Sequence, residues 1–204
     1  MSKMAAKKHT TVVIDSGHGG TDPGKATSDG TLEKDLNLAI ALKLQKYLEA
    51  ADITAVMTRV SDDGLYDASS KNKKVQDMQN RVAIMNDESV NLVVSIHQNS
   101  YSDPRVKGAQ VFYYGTSTEG SKLADVLQNR LVADLDPENH RKPKANNSYY
   151  LLKKTTRPTV IVECGFLSNP AEAEKLKSET YQDALAWSLH MGILEYLNAD
   201  ARTK

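Results

Sequence analysis

The feature that most restricts the fold is an alternation of two hydrophobic periods. Short apolar runs lie at 11–14 (TVVI), 53–58 (ITAVMT), 92–96 (LVVSI), 109–114 (AQVFYY) and 159–162 (TVIV), all but the fourth rich in β-branched residues. Between the first two, Leu32, Leu36, Ile40, Leu44 and Leu48 recur at every fourth position, which predicts an amphipathic helix over 32–50. Shorter helical patterns cover 78–86 and 123–135, and Leu185, Leu189, Ile193 and Leu197 form one stripe of a closing helix over 181–197. Continuous β-branched runs suit strands buried on both faces. Their alternation with helices predicts one α/β domain: a largely parallel twisted sheet of about six strands flanked by helices, with 149–152 as a short edge strand.

A chain of 204 residues suits a single domain, here 11–198, leaving 1–10 as a tag or truncated N-terminal segment and 199–204 as a C-terminal tail. The 26 basic residues balance 26 acidic ones, which removes the basic surplus of a general nucleic-acid binder. No run of 18 apolar residues is present to span a membrane, and 1–9 lack the apolar core of a secretory signal. That start fits either a cytosolic protein or one whose export segment is absent from this sequence. A single cysteine excludes a disulfide framework and any all-thiolate zinc site. A metal must therefore be held by His and carboxylate.

Two long polar loops, 15–30 and 60–77, stand out, because loops of that length in a compact domain are usually functional or mobile. The first strand ends in Asp15-Ser16-Gly17-His18-Gly19-Gly20, the third in His97-Gln98-Asn99 and the late one in Glu163-Cys164-Gly165. If these strands are parallel, two imidazoles and a carboxylate meet at their carboxyl edge, where open sheets bind ligands. Glu33 joins them, since the helix after the first strand starts at that same edge. Two His and one carboxylate are the ligand set of a catalytic zinc. The spacing alone is not diagnostic: a lone His after a strand commonly serves a loop hydrogen bond, and Glu33 also suits a helix N-terminus. Glu163 is harder to explain away, because a charge after a buried run costs free energy unless it has a task.

Other chemistries find less support. Gly17-His18-Gly19-Gly20 resembles the oxyanion loop of esterases, but there is no G-x-S-x-G elbow. Dinucleotide and P-loop glycine patterns are missing after the first strand. Cys164 is either a small buried hydrophobe or a nucleophile with His18 or His97 as its base.

Taken in order, IDSGHGG (14–20), EKDLNL (33–38), RVAIMN (81–86), SIHQN (95–99) and VECGFLSN (162–169) resemble the zinc-dependent N-acetylmuramoyl-L-alanine amidases of the amidase-3 type. The resemblance spans about 11–197. It implies that His18, Glu33 and His97 hold one Zn2+ per chain, that Glu163 is the catalytic carboxylate and that Asn99 helps bind substrate. The implied reaction is hydrolysis of the amide between the lactyl group of N-acetylmuramic acid and L-alanine of the peptidoglycan stem, and the implied location is extracytoplasmic.

The segment 136–148 is too short for the inhibitory helix that some family members insert there. The pattern NNSYYLLKKTTRP before the last motif is most similar to the spore-cortex, germination-specific amidases. That implies a role in forming muramic-δ-lactam and an accessory activating protein in the spore envelope. Rival readings are a peptidoglycan-binding regulatory pseudoenzyme and a zinc carboxypeptidase acting on the stem. Arg141, Lys142, Lys144, Lys153, Lys154 and Arg157 form a basic stretch without acids, either a solvated face or a rim for an anionic polymer.

Overall fold

The computed structural model describes residues 10–202, with side chains through Ala199. Residues 1–9, most of the expected N-terminal segment, and 203–204 lie outside the described residues. The elements are β1 (Thr11–Ser16), α1 (Glu33–Ala50), β2 (Thr54–Met57), α2 (Lys73–Met85), β3 (Val90–Asn99), β4 (Gln110–Tyr113), α3 (Thr118–Leu135), β5 (Lys144–Ala145), α4 (Tyr150–Lys154), β6 (Thr159–Phe166), α5 (Pro170–Lys177) and α6 (Glu179–Arg202). They build one α/β domain on a six-stranded sheet of order β2-β1-β3-β6-β4-β5.

Strands β2, β1, β3 and β6 run parallel, and β4 pairs antiparallel with β6. Three adjacent parallel strands, β1, β3 and β6, therefore present their carboxyl ends side by side.

Strand alternation divides the core. Val12, Ile14, Val94, Ile96, Val160 and Val162 face a large cluster closed by Leu36, Ile40, Leu44 and Leu48 of α1 and by α3, α5 and α6. Val13 and Val93 point the other way, against Met85 of α2 and Leu151 of α4. The four α1 residues are at most 5% exposed, so the every-fourth-residue stripe is the buried face of that helix. Truncating one of these leucines to alanine costs about 2–5 kcal/mol.

Several boundaries differ from those read in the sequence. The run 149–152 is not an edge strand: Tyr150–Lys154 forms α4, and the edge is Lys144–Ala145. Asn146 Oδ1 accepts the Ser148 and Tyr149 amides and turns the chain into that helix. Helix α5 was not anticipated, although Asn169 caps it by accepting the Glu172 amide and Pro170 fills its first turn. Both β3 and β6 run several residues past their apolar runs. His97 and Glu163 therefore lie inside the sheet as register partners rather than on loops beyond it.

Candidate active site

His18 follows β1 with a backbone φ of 62°, a left-handed conformation uncommon for a residue with a side chain. Two buried arginines hold that turn. Arg81 Nη1 donates to the Ser16 carbonyl at 2.8 Å and its Nη2 to the His18 carbonyl at 2.6 Å. Arg59 Nε donates to Ser16 at 3.1 Å and its Nη2 to Gly17 at 3.2 Å. Three consecutive carbonyls are thus fixed by two guanidiniums. Arg81 is in turn anchored to Asp15 Oδ1 and Asp77 Oδ2, each at 2.6 Å.

Glu33, in the first turn of α1 and 2% exposed, is where the site converges. Its Oε1 lies 3.2 Å from His18 Nε2 and 3.1 Å from His97 Nδ1, and it accepts the Gln98 amide at 3.0 Å. Its Oε2 accepts the Lys25 amide at 2.8 Å. Burial opposes charge on Glu33, but hydrogen bonds from the two imidazoles outweigh it and hold the carboxyl well below the usual range. One donor atom from each of His18, Glu33 and His97 lies within 4.8 Å of the others, a group that can hold a metal ion. Around them, Asp22 Oδ2 stands 3.1 Å from His18 Nδ1, and Asn37 Nδ2 donates to the Gly17 carbonyl at 3.1 Å. Gly17 allows the close packing: a Cβ there would stand 2.2 Å from His97 Cε1.

Glu163 reaches the same place from β6. It is 8% exposed, and its Oε2 is buried without a hydrogen-bond partner. Burial pushes its carboxyl up to about 7, a value suited to exchanging protons near neutrality. His18, His97 and Glu163 line a cleft of about 400 Å³ together with Tyr66, Lys74, Met78, Tyr149, Tyr150, Leu151 and Ile161.

The structure brings together the four residues singled out in the sequence, His18, Glu33, His97 and Glu163. Asn99 is placed differently: its Oδ1 accepts the Ser100 amide at 2.8 Å and it does not line the cleft. Cys164 is 1% exposed in the core, with its thiol pushed up by burial, so it offers no nucleophile. None of the six basic residues of 141–157 lines the cleft, and Arg141 stacks 4.8 Å over Phe166 instead. Arg59, Arg81, Asp15 and Asn37 were missed as site residues. Asp15, Asn37 and Arg81 lie inside the motifs at 14–20, 33–38 and 81–86, whereas Arg59 shows only as a polar residue directly after a strand run.

A largely parallel α/β sheet with a His-Glu-His group that could hold a metal ion, and a buried carboxylate beside it at the carboxyl edge of the strands, has the layout of a hydrolase site. The chain belongs to the N-acetylmuramoyl-L-alanine amidase family, whose model matches residues 12–195, and it is an enzyme of that class. It is 38% identical over 188 residues to the germination-specific N-acetylmuramoyl-L-alanine amidase of Bacillus subtilis (strain 168), covering 91% of this chain and 78% of that protein. The CwlD amidase of Clostridioides difficile, solved in complex with the GerS lipoprotein, superposes with a TM-score of 0.91 at 38% identity, covering 94% of this chain and 100% of that one. An N-acetylmuramoyl-L-alanine amidase from Clostridium difficile 630 matches with a TM-score of 0.83 at 35% identity, over 94% of this chain and 98% of that one. No described helix is long and apolar enough to cross a membrane.

Proposed function

We propose that this chain is a zinc-dependent amidase that cuts between the lactyl group of N-acetylmuramic acid and the L-alanine of the stem, acting outside the cytoplasm in spore-cortex peptidoglycan. The observation that carries the reading is the His18, Glu33 and His97 donor group beside the unpartnered buried Glu163 carboxylate. The donor set fits zinc: two imidazoles and one carboxylate, with a cleft open for a further ligand. Bound there, one zinc per chain supplies a positive charge that acidifies water and polarises a carbonyl.

The chain's own residues supply the rest. Asp22 orients the His18 ring through Nδ1, and the Arg59 and Arg81 guanidiniums hold the turn that carries it. Glu163 Oε2, free of other partners, takes a proton from the attacking water and returns it to the alanine nitrogen as the amide breaks. Tyr149 and Tyr150 add aromatic surface to the cleft lining.

The cortex role is supported by the name of the B. subtilis relative, and an accessory spore-envelope partner by the lipoprotein bound to the C. difficile relative. Digestion of purified peptidoglycan tests the activity. New L-alanine amino termini are expected; release of D-alanine would replace this reading with a carboxypeptidase, and binding without cleavage with a pseudoenzyme. Zinc content per chain, measured with and without added metal and in His97→Ala, tests the site.

A further inference from the structure

One wall of the cleft carries a cation that these roles leave unused. Lys74, in the first turn of α2, lines the cleft, and its side chain is 77% exposed. Its ion-pair contact is Asp22 Oδ2 at 3.7 Å, a long exposed pair of the kind that contributes little and exchanges easily. The neighbouring cations are committed elsewhere. Arg81 is spent on Asp15, Asp77 and the β1 turn, Lys34 on Asp62 and the Gly20 carbonyl, and Lys73 lies 5.4 Å over the Tyr66 ring. Among the described residues, Lys74 is therefore the exposed cation of the cleft lining.

Its position suits a reader of the stem peptide. Asp22, its partner, also touches His18 Nδ1 at 3.1 Å, so the ammonium stands one carboxylate and one imidazole away from the three donor atoms. In an extended stem, the carboxyl on the glutamyl residue that follows L-alanine lies roughly 7 Å from the scissile carbonyl, by ordinary backbone dimensions. That group is a carboxylate in some peptidoglycans and a carboxamide in others.

We propose that Lys74 pairs with a free carboxylate on the second residue of the stem and makes the enzyme prefer acidic over amidated stems. The inference rests on the amidase reading above and adds a specificity determinant to it. In the complex the ammonium exchanges Asp22 for the substrate carboxylate, while Asp22 keeps its contact with His18.

The test compares two muramyl peptides that differ only in a carboxylate or a carboxamide at the second residue. The kcat/KM for each is measured with wild type, Lys74→Met and Lys153→Met, the last removing an exposed lysine outside the cleft. Wild type is expected to prefer the carboxylate by about fivefold, the worth of one exposed ion pair, and less so at high salt. Lys74→Met should bring that ratio close to one, mainly through a higher KM for the carboxylate substrate, and Lys153→Met should keep it. An unchanged ratio in Lys74→Met, or no preference in wild type, overturns this inference and leaves the amidase reading intact. Failure of wild type to cleave either substrate overturns the amidase reading itself, and this inference with it.

Discussion

Arg81 Nη2 and the His18 carbonyl oxygen meet at 2.6 Å, which ties a buried helix residue directly to the turn that presents an imidazole to the site. The turn needs the restraint, because His18 has a φ of 62° and a side chain that makes this conformation costly, on the order of 1–3 kcal/mol. The same guanidinium neutralises Asp15, which is fully buried and accepts Ser95 Oγ, two residues before His97. The Asp15 carboxylate thus joins β1 to β3 through Ser95 and to α2 through Arg81, next to both imidazoles.

Arg81→Met is expected to lose both stability and metal affinity. Leaving Asp15 buried and unpaired should cost about 3–5 kcal/mol, read by denaturant unfolding of the metal-free protein. Releasing the His18 turn should weaken zinc binding about 10–100-fold, read by competition with a chelator. Adding Asp15→Asn should recover part of the stability and little of the metal affinity. Zinc binding equal to wild type would remove the positioning role from Arg81.

The Asp15 and Arg81 pair also sets an acid limit. Burial pushes the Asp15 carboxyl up, but Arg81 and Ser95 outweigh it, so its folded value lies below the ordinary one. For an acid with a depressed folded value, the stabilisation is complete above the unfolded value of about 4 and is lost as pH falls through the folded value. Stability of the metal-free protein should therefore fall below about pH 4. Asp15→Asn should be less stable at neutral pH and show a shallower acid slope. Equal slopes for the two proteins would contradict the assignment.

Glu163 presents the opposite sign. Its folded value is raised by burial and its Oε2 lacks a partner, so the charged form is unfavourable in the folded protein above the ordinary glutamate range. Glu163→Gln should raise the Tm of the metal-free protein at pH 8 by a few degrees. It should also retain zinc and lower kcat by about 10²–10⁴, the usual worth of a general acid-base group. Full activity would exclude Glu163 as the proton carrier, and a lower Tm would show that its carboxylate is structurally paired.

The sequence shows the sheet edge well and its supporting network poorly. The α1 stripe and the β-branched runs place Glu33, His97 and Glu163 because burial imposes a regular spacing that one chain displays by itself. No spacing links Arg81 to Asp15, or Arg59 to the Gly17 carbonyl, because those contacts join residues 66 and 42 positions apart and arise only once β1, β2 and α2 pack. The run at 149–152 misled for a related reason. Leu151 and Leu152 are both buried but serve different clusters, a pattern that a short helix and a short strand share. The Asn146 turn before α4 and the Asn169 cap of α5 were the more informative signals in that half of the chain.

Gly17 offers a way to disturb the donor group without altering any donor. It is buried, and its Cα faces the His97 ring so closely that an added methyl carbon would stand 2.2 Å from Cε1 and 2.3 Å from Nε2. Gly17 is held by the Arg59 and Asn37 donors to its carbonyl, so the imidazole has to shift, and a shift disturbs the 3.1 Å contact of its Nδ1 with Glu33 Oε1. Gly17→Ala should therefore separate His97 from Glu33 while the core clusters stay packed. Zinc affinity is expected to fall at least about tenfold, as when other supports of a metal ligand are disturbed, with far-ultraviolet circular dichroism unchanged. Excess zinc should restore part of the activity in Gly17→Ala and none in His97→Ala, which lacks the ligand. Equal zinc affinity in Gly17→Ala and wild type would mean that His97 is not held where the donor group requires it.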